Sequence, residues 1–424
     1  NSGRHIRQSG RVIHTLLLMF ECLKNAFRQD GFSATIPAHY SLSAFTHSGK
    51  RLPSPVNDAI FIRRIPWTLV GTAIVLFLIG LSAIARGDAL YNLGEFAPRQ
   101  RIWAVMGIGV FIGAASWPYQ RLKWLSYGLY GLCLALLVVV FFMPAKNYSH
   151  RWIPLGFMNF QPSELAKLAY IAALARYLMH RDSFRTWLGL VPPFLMTLVP
   201  VTLILKEPDL GTSMLFFPVL FAMLFAAGAR PKHLITIGLL GAMCVPILWM
   251  QMSAEQKSRI VSVFTQRSGG EAPDDDGYHL HQSKRVFALG GVWGSKLTGM
   301  PVQSRRAYHL PESRTDFVFC LVGERWGLLG CLITLILFLT LIGRGLLIAA
   351  DTRDPFGRLL AVGIVALIGS QTLINTGMSV GLLPITGMTL PMMSYGGSSL
   401  LATCLALGLL VNIELRPTYA TGSE

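Results

Sequence analysis

Leu310-Pro311-Glu312-Ser313-Arg314-Thr315-Asp316-Phe317-Val318-Phe319 closes a long polar segment and runs straight into an apolar one. Asp316 stands at the join. If the apolar run crosses a bilayer, this carboxylate touches water on one side and lipid-soluble groups on the other. The reading of the stretch therefore turns on whether the surrounding chain is membrane.

Composition says that it is. Of 424 residues, 52% are hydrophobic and 14% are charged, against about 25% charged in soluble domains. Mean hydropathy is +0.50. A net charge of +16 points to nucleic acid in a soluble chain, but in a membrane chain it marks loops that face anionic lipid. Nucleic acid is excluded as a partner on that ground. Cys22, Cys133, Cys244, Cys320, Cys331 and Cys404 form no CxxC pair and lie mostly in apolar runs. They read as packing residues, not as a metal site or disulfide frame.

Working outward, the apolar segments are Ile65–Ala85, Ile102–Trp117, Leu125–Met143, Leu165–Met179, Leu188–Leu205, Thr212–Ala227, Leu234–Met250, Phe317–Ile348, Leu359–Leu383 and Ser398–Val411. A span needs about 20 residues, with shorter ones tolerated where protein covers the ends. The fold class is thus all-α, a polytopic membrane protein of about ten helices. Residues 1–64 form a basic, flexible cytoplasmic tail, and Val12–Phe27 within it is too short and polar to span. Residues 65–413 form the transmembrane domain, and residues 414–424 a cytoplasmic tail. The Phe317 segment is long enough to begin with a tilted or re-entrant turn.

Basic residues orient the chain. With the tail inside, inner loops carry Arg121 and Lys123, Arg176, Arg181 and Arg185, Arg230 and Lys232, then Arg344, Arg353 and Arg358. Residues 251–316 then form a large outer loop between helices 7 and 8, which puts Asp316 at the outer face.

Four polar motifs reach that face. Arg151-Trp152 precedes Gln161-Pro162-Ser163-Glu164-Leu165-Ala166-Lys167. Pro162 suits a helix entry and Ser163 an N-cap. Glu164 and Lys167 share one helix face, either as a functional pair, the default at membrane depth, or as a structural one. Lys206-Glu207-Pro208-Asp209-Leu210-Gly211 is an acidic break between apolar runs, a turn or a contact for a cation or substrate. The outer loop holds Asp274-Asp275-Asp276, which lacks calcium-loop spacing and reads as a solvated turn, and Gly290-Gly291, which permits close backbone approach. The fourth motif starts at Asn375 and runs through Pro384 and Pro391 to Ser394-Tyr395-Gly396-Gly397-Ser398-Ser399. This irregular segment must be buried or line a cavity. Ser398 and Ser399 are placed to cap a helix whose N-terminus favours an anion such as pyrophosphate.

These motifs, in this order, resemble the SEDS family (shape, elongation, division and sporulation), whose members include RodA and FtsW. The resemblance covers residues 65 to 413 and rests on Gln161 to Leu168, Glu207 to Thr212, Leu310-Pro311-Glu312 with Thr315-Asp316-Phe317, and Leu383 to Ser399. It implies the SEDS fold of ten helices and a peptidoglycan glycosyltransferase that polymerises lipid II on the outer face of the bacterial cytoplasmic membrane. It implies a class B penicillin-binding protein as partner, within an elongation or division complex. The family's essential acid falls on Asp316. Transfer from an α-linked pyrophosphate donor with inversion needs a base at the acceptor hydroxyl and positive charge at the leaving group. The roles expected are Asp316 as base, or as metal ligand or orienting group; Arg151, Lys167 and Arg314 on phosphate; Glu164 holding Lys167; and Asp209 lining the cavity or binding a cation. Mg or Mn is the one cofactor expected, with no ligand set assigned. His281-Gln282-Ser283-Lys284, Pro301-Val302-Gln303-Ser304 and Asn375-Thr376-Gly377-Met378 resemble the RodA side. Arg325 stands where the family has an acid after Glu324, and Pro154 where an acid is common.

Two other classes fit part of this pattern. A lipid flippase or transporter would also need buried charges and broken helices, but would place its acids near the midplane, and no inverted repeat is evident. A non-catalytic scaffold has no need of an intact Asp316.

Overall fold

The computed structural model describes residues 65–91, 96–143, 151–154, 156, 159–180, 185–207, 209–243, 246, 249–250, 252, 254–264, 277–298 and 313–416. The tail expected over 1–64 with its Val12–Phe27 stretch, Pro208, Asp274-Asp275-Asp276, Pro301 to Ser304, Leu310 to Glu312 and residues 417–424 lie outside them. All the described helices belong to the unit Pro66–Glu424.

The described elements are almost all helices. In chain order they are α1 (Trp67–Tyr91), α2 (Phe96–Ser116), α3 (Tyr119–Val140), a two-residue hairpin of β1 (Ile153–Pro154) and β2 (Asn159–Phe160), α4 (Pro162–Leu178), α5 (Trp187–Lys206), α6 (Leu210–Ala227), α7 (Pro231–Met243), α8 (Ala254–Phe264), α9 (Gly277–Gly290), α10 (Ser295–Thr298), α11 (Val318–Asp351), α12 (Pro355–Val380) and α13 (Gly397–Leu415). Each expected apolar segment overlaps one of these helices. Seven of the described helices are long and apolar enough to cross a membrane: α1, α3, α5, α6, α11, α12 and α13. The chain is a multi-pass membrane protein.

Its outside is apolar, as lipid requires. Ile102, Val105, Ile108 and Ile112 recur at helical spacing along α2, and all four are exposed. The opposite face of α2 packs on α13 through small side chains. A Cβ added to Gly107 would stand 2.9 Å from Cys404 Sγ, and one added to Gly408 would stand 2.7 Å from Ala114 Cβ. With no hydrophobic drive between helices in lipid, such close backbone approach supplies the packing contact. α12 is the central helix: it packs on α4, α6 and α11, and Leu360, Ala361, Ile364 and Met378 are fully covered.

The segment between α7 and α11 is more structured than the expected loop. It contains α8, α9 and α10, and α9 packs along α11. Val286 of α9 forms a buried cluster with Phe317 and Cys320, against which Phe287 and Ile385 pack. α11 is two helices joined at Gly327, where φ is 65° and ψ is −159°. A positive φ there is strained for a residue with a side chain but not for glycine. The turn after α9 fills the break. Leu328 N–H donates to Gly291 O at 3.0 Å, and a Cβ on Gly327 would come within 2.3 Å of Val292 O. The expected irregular start of the Phe317 segment is thus a short helix, Val318 to Trp326, set off from the long span by a break.

Two expected caps fall elsewhere. Pro162 takes the first helical position of α4, so the N-cap is Gln161 and Ser163 lies inside the first turn. Gly396 is the N-cap residue of α13. Ser398 and Ser399 lie in that helix's first turn, where their hydroxyls are held by other segments.

Candidate functional site

One irregular strip, Leu382 to Leu390, gathers the four motifs at one end of the bundle. On one side it meets the turn that carries Asp316. Asn375, fully buried on α12, donates from Nδ2 to Asp316 O at 2.8 Å and to Met388 O at 2.6 Å. The Asp316 carboxyl lies beside Gly387, where φ is 69°. A Cβ on Gly387 would stand 3.4 Å from Asp316 Oδ2. Glycine here accepts the left-handed backbone without strain.

On its other side the strip meets α6. A Cβ on Gly211 would stand 2.5 Å from Thr386 O. Asp209 is the N-cap of α6. Its Oδ1 accepts from Thr212 N at 3.0 Å and its Oδ2 from Thr212 Oγ1 at 2.9 Å, with Gln161 Nε2 at 3.4 Å. An Asp three residues before a Thr is a good cap, a signal in the sequence that outweighs its reading as a bare cation contact.

The last motif closes the cluster. Ser398 Oγ donates to Asn159 O at 3.1 Å and accepts from Gln161 N at 3.2 Å, so it ties the β1–β2 hairpin to α13. Ser399 Oγ shares a 2.7 Å bond with Thr389 Oγ1. Gln100 of α2, fully buried, donates to Ser394 O at 3.1 Å and accepts from Gly396 N at 3.4 Å. The motifs do not include Gln100; its one visible signal is an amide at the start of an apolar helix.

The charged residues divide by exposure. Lys167 Nζ and Glu164 Oε1 pair at 2.9 Å, and both side chains are nearly covered. The pair lies within the first turns of α4. Arg151 is half-buried, and its Nε donates to Glu207 O at 2.9 Å. Glu207 is buried, and neither of its carboxyl oxygens has a hydrogen-bond partner among the described residues. Burial pushes its carboxyl up to about 8, with Asp209 adding to the rise and Arg151 opposing it. A carboxyl in that state is mostly neutral at pH 7.

Arg314 faces inward. Its NH1 pairs with Asp88 Oδ1 at 3.2 Å, and its guanidinium lies 4.1 Å from the centre of the Phe96 ring. Arg314 O accepts from Tyr395 N at 2.9 Å. The same end of α1 carries Arg86, whose Nε and NH2 reach Glu324 Oε2 and Oε1 at 3.3 and 3.0 Å. Arg325, where the resemblance implies an acid, donates to Ser82 O at 2.9 Å. No local pattern marks Arg86 and Asp88 as part of this end, because their partners lie 238 and 226 residues away. Among the described residues no three His, Cys, Asp or Glu side chains converge as a metal site.

Comparison with known proteins agrees with this arrangement. The family model of cell cycle proteins of the FtsW, RodA and SpoVE type matches residues 57–419. A probable peptidoglycan glycosyltransferase FtsW of Geobacter sulfurreducens is 38% identical over 81% of this chain and 91% of its own length. Stage V sporulation protein E of Bacillus subtilis is 34% identical over 83% of this chain and 97% of its own. A chain solved in a study of structural coordination of polymerization and crosslinking by a peptidoglycan synthase complex superposes with TM-score 0.72 at 29% identity, covering 84% of this chain and 99% of that one. Rod shape determining protein RodA of Thermus thermophilus superposes with TM-score 0.62 at 28% identity, covering 84% and 98%. The matches fall on both branches of the family, so they do not repeat the RodA-side preference read from His281 to Lys284 and Asn375 to Met378.

Proposed function

The chain belongs to the family of cell cycle proteins that includes FtsW, RodA and SpoVE, and from that premise we propose that it is a peptidoglycan glycosyltransferase that polymerises lipid II. The observation that carries this reading is the position of Asp316. Its carboxyl lies beside Gly387 of the irregular strip, and Asn375 of α12 ties its backbone to that same strip.

In the proposed reaction the acceptor sugar's 4-hydroxyl oxygen attacks the anomeric carbon of the α-linked donor. The bond to pyrophosphate breaks, the new link is β, and Asp316 receives the hydroxyl proton. The lipid pyrophosphate leaves with both electrons of the broken bond. Arg151, half-buried at this end, is assigned to it, supported by the helix N-termini of α6 and α13. The buried Lys167–Glu164 pair contributes a fixed polar field below it. Asp209, Ser398 and Ser399 have their oxygens engaged, so their part is to shape the site. Arg314 is assigned to the Asp316 turn through Asp88, in place of the expected phosphate contact. Were Mg or Mn required, Asp316 would be the residue to hold it, and the ion would supply positive charge to the departing pyrophosphate; chelator titration checks it.

The active end is proposed to face outward from the bacterial cytoplasmic membrane. Arg121, Lys123, Arg176, Arg230 and Arg358 lie at the opposite helix ends from Asp316, as a cytoplasmic face requires. A class B penicillin-binding protein is proposed as partner, because a solved neighbour comes from a complex that couples polymerization to crosslinking. The test supplies lipid II to the purified protein, alone and with the partner. Glycan polymer supports the reading. Lipid movement across vesicles with no polymer would favour the flippase class.

A further inference from the structure

We infer that Asn375 is a positioning residue that sets the Asp316 carboxyl against the Gly387 strip; this rests on the reading of Asp316 as the base. Asn375 is fully buried on α12, a helix enclosed by its neighbours. Its amide has two N–H bonds, and Nδ2 donates to two carbonyls, Asp316 O at 2.8 Å and Met388 O at 2.6 Å. Flipping the amide would set Oδ1 against two acceptors, so this orientation is the chemically sensible one. Oδ1 has no partner among the described residues. The side chain is thus held through its donors.

The two acceptors belong to two non-helical segments. One is the backbone of the base itself. The other is the residue after Gly387, whose added Cβ would stand 3.4 Å from Asp316 Oδ2. One side chain therefore ties the backbone of Asp316 to the strip beside which its carboxyl lies. Irregular backbone at membrane depth needs its carbonyls satisfied, which gives the bond its strength. Its location gives it a second consequence: shifting Asp316 shifts the atom that must reach the acceptor hydroxyl, and a misplacement of about 1 Å can cost about 100-fold in rate.

Asn412 provides the control. It too is fully buried, and its Nδ2 donates to Ala114 O at 2.6 Å and to Trp117 O. It does so at the opposite end of the bundle. A purely structural role for Asn375 predicts that Asn375→Ala and Asn412→Ala behave alike.

The experiment purifies both variants in detergent and measures thermal midpoint, kcat and KM for lipid II. Asn375→Ala is expected to lower kcat by roughly 10- to 100-fold with KM unchanged. Asn412→Ala is expected to lose comparable thermal stability and keep kcat near wild type. A wild-type kcat for Asn375→Ala, or a fall no larger than that of Asn412→Ala at matched stability, overturns the inference. If Asn375→Ala does not fold, Asn375→Gln retains the donors on a longer arm. Reduced kcat in the folded Gln variant supports the inference, and wild-type kcat overturns it. Asp316→Asn is assayed in parallel. If it is active, the reading of Asp316 as the base fails; if it is inactive while Asn375→Ala is normal, the inference alone fails.

Discussion

Arg314 and Asp88 form an ion pair of 3.2 Å between the turn that carries Asp316 and the end of α1. Both side chains are largely covered, Phe96 stacks on the guanidinium, and Asp88 Oδ2 accepts from Ala97 N at 2.8 Å. Asp88 therefore joins α1, the start of α2 and the catalytic turn. Breaking a covered pair by removing one partner costs about 3–5 kcal/mol, because the other charge is left unpaired. Arg314→Met and Asp88→Asn should each lower thermal stability and polymerase rate. The double variant should be little worse than either single one. Additive losses would show that Arg314 acts elsewhere, as on phosphate.

Arg86 and Glu324 form the second tie between α1 and α11. Glu324 is fully buried and receives two bonds from the guanidinium. Arg86→Met is expected to destabilise the protein by about 3 kcal/mol or more, read as a lower thermal midpoint in detergent. Arg86→Met with Glu324→Leu should recover part of that loss, since no buried charge then stands alone. Failure of the double variant to recover would mean that the pair's contribution is not electrostatic.

The break in α11 gives a steric prediction. Gly327 and Gly294 both have positive φ, and a Cβ on either would come within 2.5 Å of backbone atoms. Gly327→Ala and Gly294→Ala should each cost more than ~1 kcal/mol and lower activity by shifting α9 off α11. Gly109→Ala, on α2 with nothing within 4 Å, should be neutral or slightly stabilising, because alanine favours helix. Equal thermal midpoints for all three would contradict the packing of the turn into the break.

Glu207 gives a pH dependence. Its carboxyl is raised from 4.5 to about 8, chiefly by burial. Between those values the folded protein holds a proton that the unfolded chain has released. Stability therefore falls as pH rises through this window, by up to ~5 kcal/mol. Glu207→Gln should flatten this decline, with thermal midpoints that match wild type near pH 5 and exceed it near pH 9. A parallel decline in both proteins would assign the effect to another group.

Much of the fold was legible in the chain. Apolar run length located the long helices, and Gly290-Gly291 signalled a close backbone approach that Gly323 and Gly327 complete. Boundaries were less legible where charge is paired. α1 was expected to stop at Ala85 but continues to Tyr91, because Arg86 and Asp88 are neutralised by Glu324 and Arg314. α2 starts at Phe96, not Ile102, because Arg99 and Arg101 sit on its first, exposed turns. Residues 251–316 read as loop because α8 and α9 are short and carry charge. Asn375 was visible only as part of a motif; its two carbonyl partners come from segments 59 and 13 residues away, which no local pattern reveals.

Every role assigned at this end of the bundle depends on Asp316 taking the proton in glycan transfer. Asp316→Asn keeps the shape of the side chain and removes the base. Purified wild-type and Asp316→Asn proteins, matched for thermal midpoint, are given lipid II with the partner transpeptidase, and glycan polymer is measured. Polymer is expected from the wild type, with a loss of about 100-fold or more in the variant. Polymerisation by Asp316→Asn at the wild-type rate would show that Asp316 is not the base.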